Sequence, residues 1–218
     1  MFVRPCWRPT SPQDALDIIE QHPWALLVSN GEDVPLATNL PLLIDRTASN
    51  VDLGTIVLVG HIARGNEHLA SLSKPGSSVL AIFEGPWSYV TASWYPGRDM
   101  PSTYYYTAVH CSGTIEFQDE EALDHSLEDL TQRMEAEHPA GWSTNEIPRS
   151  EITRRFAGIR GFRIHVSKIE AKFKLGQDEP LRDALAVADV LKQHPSPQEQ
   201  SLAALIRKHN QARGAVVE

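Results

Sequence analysis

The chain has 218 residues, 41% of them hydrophobic and 22% charged, with 20 Lys+Arg against 28 Asp+Glu and a formal net charge of −8. That length allows one large domain or a domain with an appendage. The acidic balance counts against a nucleic-acid partner, because phosphate neutralisation needs clustered Lys and Arg and the only basic cluster is "RRFAGIRGFR", Arg154 to Arg163.

No apolar run approaches the roughly 20 residues of a bilayer span. The opening "MFVRPCWRPT" has no apolar stretch or cleavage site of a signal peptide. Cys6 and Cys111 form no CxxC and no zinc spacing, so free thiols in a reducing cytoplasm are expected.

In chain order, "SPQDALDIIEQHP" reads as a short helix, with Ser11 as N-cap, Pro12 in the first turn and Pro23 as its stop. "WALLVSN" is a strand turned by "GED", "PLATNLPLLID" a second extended run, "TASNVDLG" a loop and "TIVLVGHI" a third strand. "HLASLSKPG" gives one or two helical turns. "SVLAIFEG" and "SYVTASWY" read as a fourth and a fifth strand, and "PGRDMPST" as a loop. "YYYTAVHCSGTIEFQ" is a long sixth strand in which Gly113 marks a bulge or a close approach.

"DEEALDHSLEDLTQRMEAEH" is the clearest helix, acidic at its start, with Leu123, Leu127 and Leu130 at helical spacing. "FRIHVSKIEAKFKLG" is the last strand; its alternation slips by one near Ser167, the signature of a bulge. "SPQEQSLAALIRKHNQ" is a final helix capped near Ser196. Six or seven short-spaced strands with few helices indicate a mainly β protein with flanking helices, closed as a barrel rather than built from βαβ units. The expected division is a barrel domain over 1–181 and a helical extension over 182–218.

Chemistry concentrates in three places. "VGHIARGNEH" puts His61 at the end of a buried strand, with Arg64 and Asn66 within one turn. A strand-end imidazole is often a structural group bonded to backbone, but this trio also offers a ligand nitrogen, a fixed cation and an amide donor to one anionic object. "SWYPGRDMPSTYYYTAVH" packs Trp94, Tyr95, Tyr104, Tyr105 and Tyr106 into thirteen positions. Tyr104 and Tyr106 share a strand face and Tyr105 takes the other. Such a run serves equally as the wall of a flat cofactor or as barrel core and dimer packing. Lys172 and Lys174 lie on the polar face of the last strand, and Glu84 ends the fourth. Each has an ordinary reading, as edge lysines or a turn cap. GxGxxG, P-loop, HExxH and GxSxG signatures are absent.

The motifs "LATNLPLLID", "GHIARGNEH", "VLAIFEGPWSYVTASWYP", "YYTAVHCSGTIEF" and "IEAKFKLGQDEP" resemble, in order, those of the Pai-type negative transcriptional regulators. These are FMN-binding split-barrel proteins, and the likeness covers about Phe2 to Leu181. It implies a homodimer of split barrels. The chain departs where the regulators carry Thr-His-Leu-Pro (here "TNLP", with Asn39 for histidine), Pro-Thr-Trp-Asn-Tyr (here "STYYY") and Lys-Leu-Ser-Gln-Asn (here "KLGQD").

A retained barrel with a rewritten lining is similar to the haem-dependent piperazate synthase branch of this superfamily, which closes N5-hydroxy-L-ornithine into L-piperazate. That resemblance implies haem b in place of FMN, with His61 as axial iron ligand. It further implies Arg64, Asn66, Trp94, Tyr104 and Tyr106 around the cofactor, and Lys174, Tyr105 and Glu84 as candidates for catalytic roles. An FMN-binding regulator, and a flavin or haem oxidoreductase, are the alternatives.

Overall fold

The computed structural model describes residues 1–48 and 55–214, side chains being described as far as residue 211. From position 49 on, the loop expected over Thr47–Gly54 lies outside the described residues. Among the described residues, seven strands form one sheet in the order β2-β1-β5-β6-β7-β4-β3. They are β1 (Trp24–Ser29), β2 (Leu36–Pro41), β3 (Leu43–Ile44), β4 (Val57–Ala63), β5 (Ser78–Val90), β6 (Thr103–Phe117) and β7 (Ile159–Lys174). The pairings β1–β2, β1–β5, β3–β4 and β4–β7 are antiparallel. The two ends of the order, β2 and β3, are separated by Leu42 alone. The described residues also form six α-helices: α1 (Pro12–Gln21), α2 (His68–Leu72), α3 (Glu120–Glu135), α4 (Arg149–Phe156), α5 (Leu181–Lys192) and α6 (Pro197–Gly214).

The fourth and fifth strands expected from sequence are one strand, β5, followed by a 3-10 turn at Ala92–Trp94. The reason lies at Gly85–Pro86. Inward positions are 79, 81, 83 and 85 before this pair and 86, 88 and 90 after it. The break in alternation is therefore a change of phase, not an end. Gly85 fits because a Cβ there would lie 2.2 Å from Thr107 Oγ1 and 2.7 Å from Ile18 Cδ1. On β7 the consecutive exposed Ser167 and Lys168 mark the slip expected near Ser167. Gly113 is a close approach: its Cβ would meet His165 O at 2.3 Å.

The chain divides into two compact units. Unit 1 comprises Met1–His22, Phe83–His110 and Glu170–Glu218; unit 2 comprises Pro23–Ile82 and Cys111–Ile169.

In unit 1, α1 buries Ala15, Leu16, Ile18 and Ile19. Its N-terminus is closed by Asp14 Oδ2, which accepts from the Ser11 N–H at 2.8 Å and from Thr10 Oγ1 at 2.9 Å. Helices α5 and α6 both belong to this unit. Ala184, Val187, Ala188 and Leu191 form the buried stripe of α5, and Leu202, Ala203 and Ile206 that of α6. His209 stacks on Phe173 of β7 at 4.9 Å, and Asn210 Nδ2 donates to Leu175 O at 2.9 Å.

In unit 2, α3 starts at Asp119, whose Oδ1 accepts from the Ala122 N–H at 2.9 Å. Arg163 on β7 pairs with Asp45 at 2.8 Å, and Arg133 on α3 donates to Ile44 O at 3.1 Å. Helix α4, polar except for Ile152 and buried Phe156, gives no clear periodic signal, and sequence reasoning misses it.

Candidate cofactor site

His61 sits near the end of β4, a strand whose "VLVGHIA" is rich in the branched residues that favour a half-buried pleat. It is half-buried and stands opposite Gly161 of β7. Burial holds its imidazole below the ordinary histidine value, so the ring is neutral at neutral pH. It has no hydrogen-bond or ionic partner among the described residues.

Arg64 follows in the turn. Its backbone N–H donates to Gly158 O at 2.9 Å and its side chain is exposed. Asn66 is engaged locally: Oδ1 accepts from the His68 N–H at 2.9 Å and Nδ2 donates to Thr38 Oγ1 at 3.3 Å.

His68 explains why this turn is well held. Ser71 Oγ donates to Asn30 O at 2.6 Å, so its single proton is spent. At its 3.2 Å contact with Ser29, Ser71 must therefore accept. Ser29, donating there, accepts at 2.8 Å from His68 Nε2. His68 is thus the Nε2–H tautomer, and Nδ1 accepts from Thr38 Oγ1 at 2.9 Å. Donors and acceptors run in one direction from Asn66 to Asn30. Burial lowers the pKa of His68, which keeps it in the neutral form the chain requires.

A groove of about 790 Å³ in unit 2 is lined by Asp45, Thr47, His125, Asp129, Arg133 and Arg163, among others. Val59, which shares a face of β4 with His61, also borders it; His61 does not. Two of its arginines are already paired, Arg163 with Asp45 and Arg133 with Asp129, each at 2.8 Å.

The aromatic candidates lie in unit 1. Tyr104 is 53% exposed and joins a cluster with Trp87, at 6.3 Å, and Tyr89, at 5.4 Å. Tyr106 is half-buried beneath Lys172, whose Nζ lies 5.1 Å from its ring centre and 4.7 Å from that of Trp7. Trp94 is half-buried in the 3-10 turn. Lys174 donates to Thr103 Oγ1 and lies 6.0 Å from the Trp7 ring. Glu84 is exposed.

Tyr105 takes the opposite face, as alternation requires, and is fully buried. Its hydroxyl donates to Glu179 Oε2. Gly176, with φ of +80°, leaves room for this contact: a Cβ would lie 2.5 Å from the Tyr105 hydroxyl oxygen and 2.9 Å from Ala184 Cβ. Burial and the neighbouring Glu179 charge push the Tyr105 phenol far up and that of Tyr95 up to about 12. In this setting Tyr105 is a packing and anchoring group.

His61, Arg64 and Asn66 all lie in unit 2, at the end of β4 and in the turn after it, but of the three side chains only that of Asn66 enters a hydrogen-bond network among the described residues, with Thr38 and the His68 N–H. In unit 1 the structure groups Tyr104 with Trp87 and Tyr89, Tyr106 with Lys172 and Trp7, and Lys174 with Thr103. Glu84 joins none of these clusters. Sequence reasoning missed Trp7, Glu179, Gln118 and the role of His68; Gly161, an isolated glycine inside a strand, was the available signal for a close approach.

Residues 1–168 match the family described as "Putative FMN-binding domain". The chain belongs to this family. It is 25% identical over 208 residues to "Protease synthase and sporulation protein PAI 2" of Bacillus subtilis (strain 168), covering 94% of this chain and 96% of that protein. Among solved structures it resembles the FAD and haem binding protein from Mycobacterium smegmatis, with a TM-score of 0.56, 19% identity and coverage of 77% of this chain and 73% of that one. It also resembles the flavocytochrome Anf3 from Azotobacter vinelandii, with a TM-score of 0.55, 12% identity and coverage of 77% and 69%. These likenesses agree with the expected split-barrel fold of mainly antiparallel strands with flanking helices. No described helix is long and apolar enough to cross a membrane.

Proposed function

We propose that this FMN-binding-domain family member is a cytoplasmic, homodimeric, haem-dependent cyclase that converts N5-hydroxy-L-ornithine to L-piperazate with loss of water. The observation that carries this reading is His61, a neutral, half-buried imidazole without a partner among the described residues. An axial iron ligand needs that state, since the donating nitrogen must carry a free electron pair. His68, with both ring nitrogens bonded, shows what a structural histidine looks like in the same unit. The likenesses to a haem-binding protein and a flavocytochrome fit such a role.

His61 would hold the iron, and the exposed Arg64 guanidinium suits a propionate. Tyr104, Tyr106 and Trp94 offer ring surface. When bound, haem supplies a Lewis-acidic iron that polarises the hydroxylamine N–O bond. The chain's own groups manage protons and position. The α-amine of the substrate forms the N–N bond as the N–O bond breaks, and the oxygen leaves with the bonding pair. Lys174, held by Thr103, gives that oxygen the proton that makes it water and recovers one from the attacking amine. Glu84 pairs with the substrate's ammonium group, which releases one proton to solvent before the neutral amine attacks. The reaction is redox-neutral overall, because the N–O bond accepts the electron pair that the amine nitrogen gives up. Holding both nitrogens of one molecule together removes much of the entropic barrier.

The family description and the likeness to PAI 2 favour a second reading, an FMN-binding regulator. Offering haem to the purified protein, recording which cofactor it retains, and then incubating it with N5-hydroxyornithine and following the product by mass spectrometry separates them. Appearance of a cyclic product lighter by one water supports the cyclase. Unchanged substrate, in a preparation that retains flavin and not haem, supports the regulator.

A further inference from the structure

Three residues of unit 2 form a row across the sheet. His61 of β4 pairs with Gly161 of β7, and Gln118, just beyond β6, donates its backbone N–H to Gly161 O at 2.9 Å. Direct cross-strand partners project to the same face, so the His61 side chain lies on the side where Gly161 has none. The Gln118 amide occupies that side too: a Cβ on Gly161 would fall 2.4 Å from Gln118 Oε1. Adjacent strands are about 4.8 Å apart, which puts this oxygen roughly one strand spacing from the stem of His61.

The orientation of the amide is fixed by its other end. Nε2 donates to Ser126 Oγ at 2.7 Å and to Ala122 O at 3.3 Å, both acceptors on α3. Oε1 is therefore the atom turned to the sheet, and it is buried with no hydrogen-bond partner. A buried carbonyl left unpaired carries a desolvation penalty, and each such group calls for an explanation. An orphan acceptor lying over Gly161 of β7 and an unpartnered imidazole on the neighbouring β4 thus share one face of the sheet, where Leu123 of α3 also packs against the glycine.

We infer that Gln118 is a positioning residue for His61: its Oε1 accepts the imidazole Nδ1–H, directly or through one bridging water. Nδ1 is the nitrogen nearer the backbone, and so nearer to an oxygen that lies over the sheet. The bond fixes the tautomer and leaves the Nε2 electron pair projecting away from the strand, free for a metal. A side-chain rotation of His61, or one water, completes it. The purpose assigned to this bond rests on reading His61 as the iron ligand; the tautomer itself is a property of the cofactor-free protein.

The test is the tautomer of His61 in cofactor-free full-length protein labelled with 15N-histidine, read from long-range 1H–15N correlations at neutral pH. The wild type shows His61 as Nδ1–H. Gln118→Leu shifts it to the Nε2–H form that a free imidazole prefers, while Gln118→Glu, which keeps the acceptor, retains Nδ1–H. His68 stays Nε2–H throughout and reports that the fold is intact. A wild-type His61 in the Nε2–H form, or a population unmoved by Gln118→Leu, overturns the inference; the first of these needs no variant to fold. The ligand reading fails separately, if His61→Ala still binds haem with an unchanged spectrum.

Discussion

The Tyr105 hydroxyl donates to Glu179 in the core of unit 1, over a glycine that could carry no side chain without striking it. Two of the departures from the Pai-type regulators, at Tyr105 and Gly176, are thus one structural feature. The larger residue on β6 requires the smaller one beyond β7.

Gly176→Ser will therefore be more damaging than an exposed-turn substitution. It adds a Cβ 2.5 Å from the Tyr105 oxygen and 2.9 Å from Ala184, at φ of +80°. A loss of about 2–4 kcal/mol is expected, from the backbone conformation together with the clash. Combined with Tyr105→Phe, which removes the struck oxygen, the two costs will sum to less than their separate values. Denaturant midpoints of the single and double variants check this, and strict additivity would contradict it.

Asp14 governs an acid limb of stability. Burial alone would raise its pKa, but hydrogen bonds from Lys208, the Ser11 N–H and Thr10, with the nearby His209, outweigh that and hold it at about 2. A carboxyl depressed in the folded state stabilises fully above its unfolded value of 3.8 and loses that contribution as the pH falls through about 2. Asp14→Asn is expected to cost about 2 kcal/mol at neutral pH and to flatten the fall in stability below pH 4. Urea denaturation between pH 2 and 7 measures both effects.

The His68 chain in unit 2 predicts a specific cost. Ser29→Ala removes the acceptor for the Nε2 proton and the donor to Ser71 at once. A loss of about 1–3 kcal/mol is expected, or roughly 2–4 °C in melting temperature for each kcal/mol in a chain of this size. Asn39→Ala, at an exposed position of β2, should move the melting temperature by less than about 2 °C.

The two cysteines differ sharply. Cys6 is exposed; Cys111 is buried, and desolvation pushes its thiol up to about 12. A thiol reagent should modify one cysteine per native chain and both after unfolding. Rapid modification of Cys111 in the native protein would show that β6 opens locally.

Much of the fold was legible because strands and helices advertise themselves by period. β1, β4, β6, β7, α1, α3 and α6 all follow apolar patterns bounded by Pro, Gly or a cap. β5 did not, since Gly85–Pro86 looks like a turn until Thr107 and Ile18 are known to fill the space beside it. Helix α5 carried its signal in Ala184, Val187, Ala188 and Leu191, but small alanines make a faint stripe. At the candidate site, His61 stood out by its place at a strand end. The His68 chain and the row from Gln118 to His61 were invisible because they depend on which strands are neighbours. Tyr105 and Tyr104 look alike in the sequence; only strand phase sends one to Glu179 and leaves the other exposed.

The central claim is that the His61 imidazole ligates haem iron. The most direct measurement is the absorption spectrum of purified wild-type and His61→Ala protein after reconstitution with haem. A Soret band near about 400 nm in the wild type, lost in the variant, is the predicted result. A wild-type preparation showing a flavin spectrum instead, or a variant whose haem band is unchanged, would contradict it.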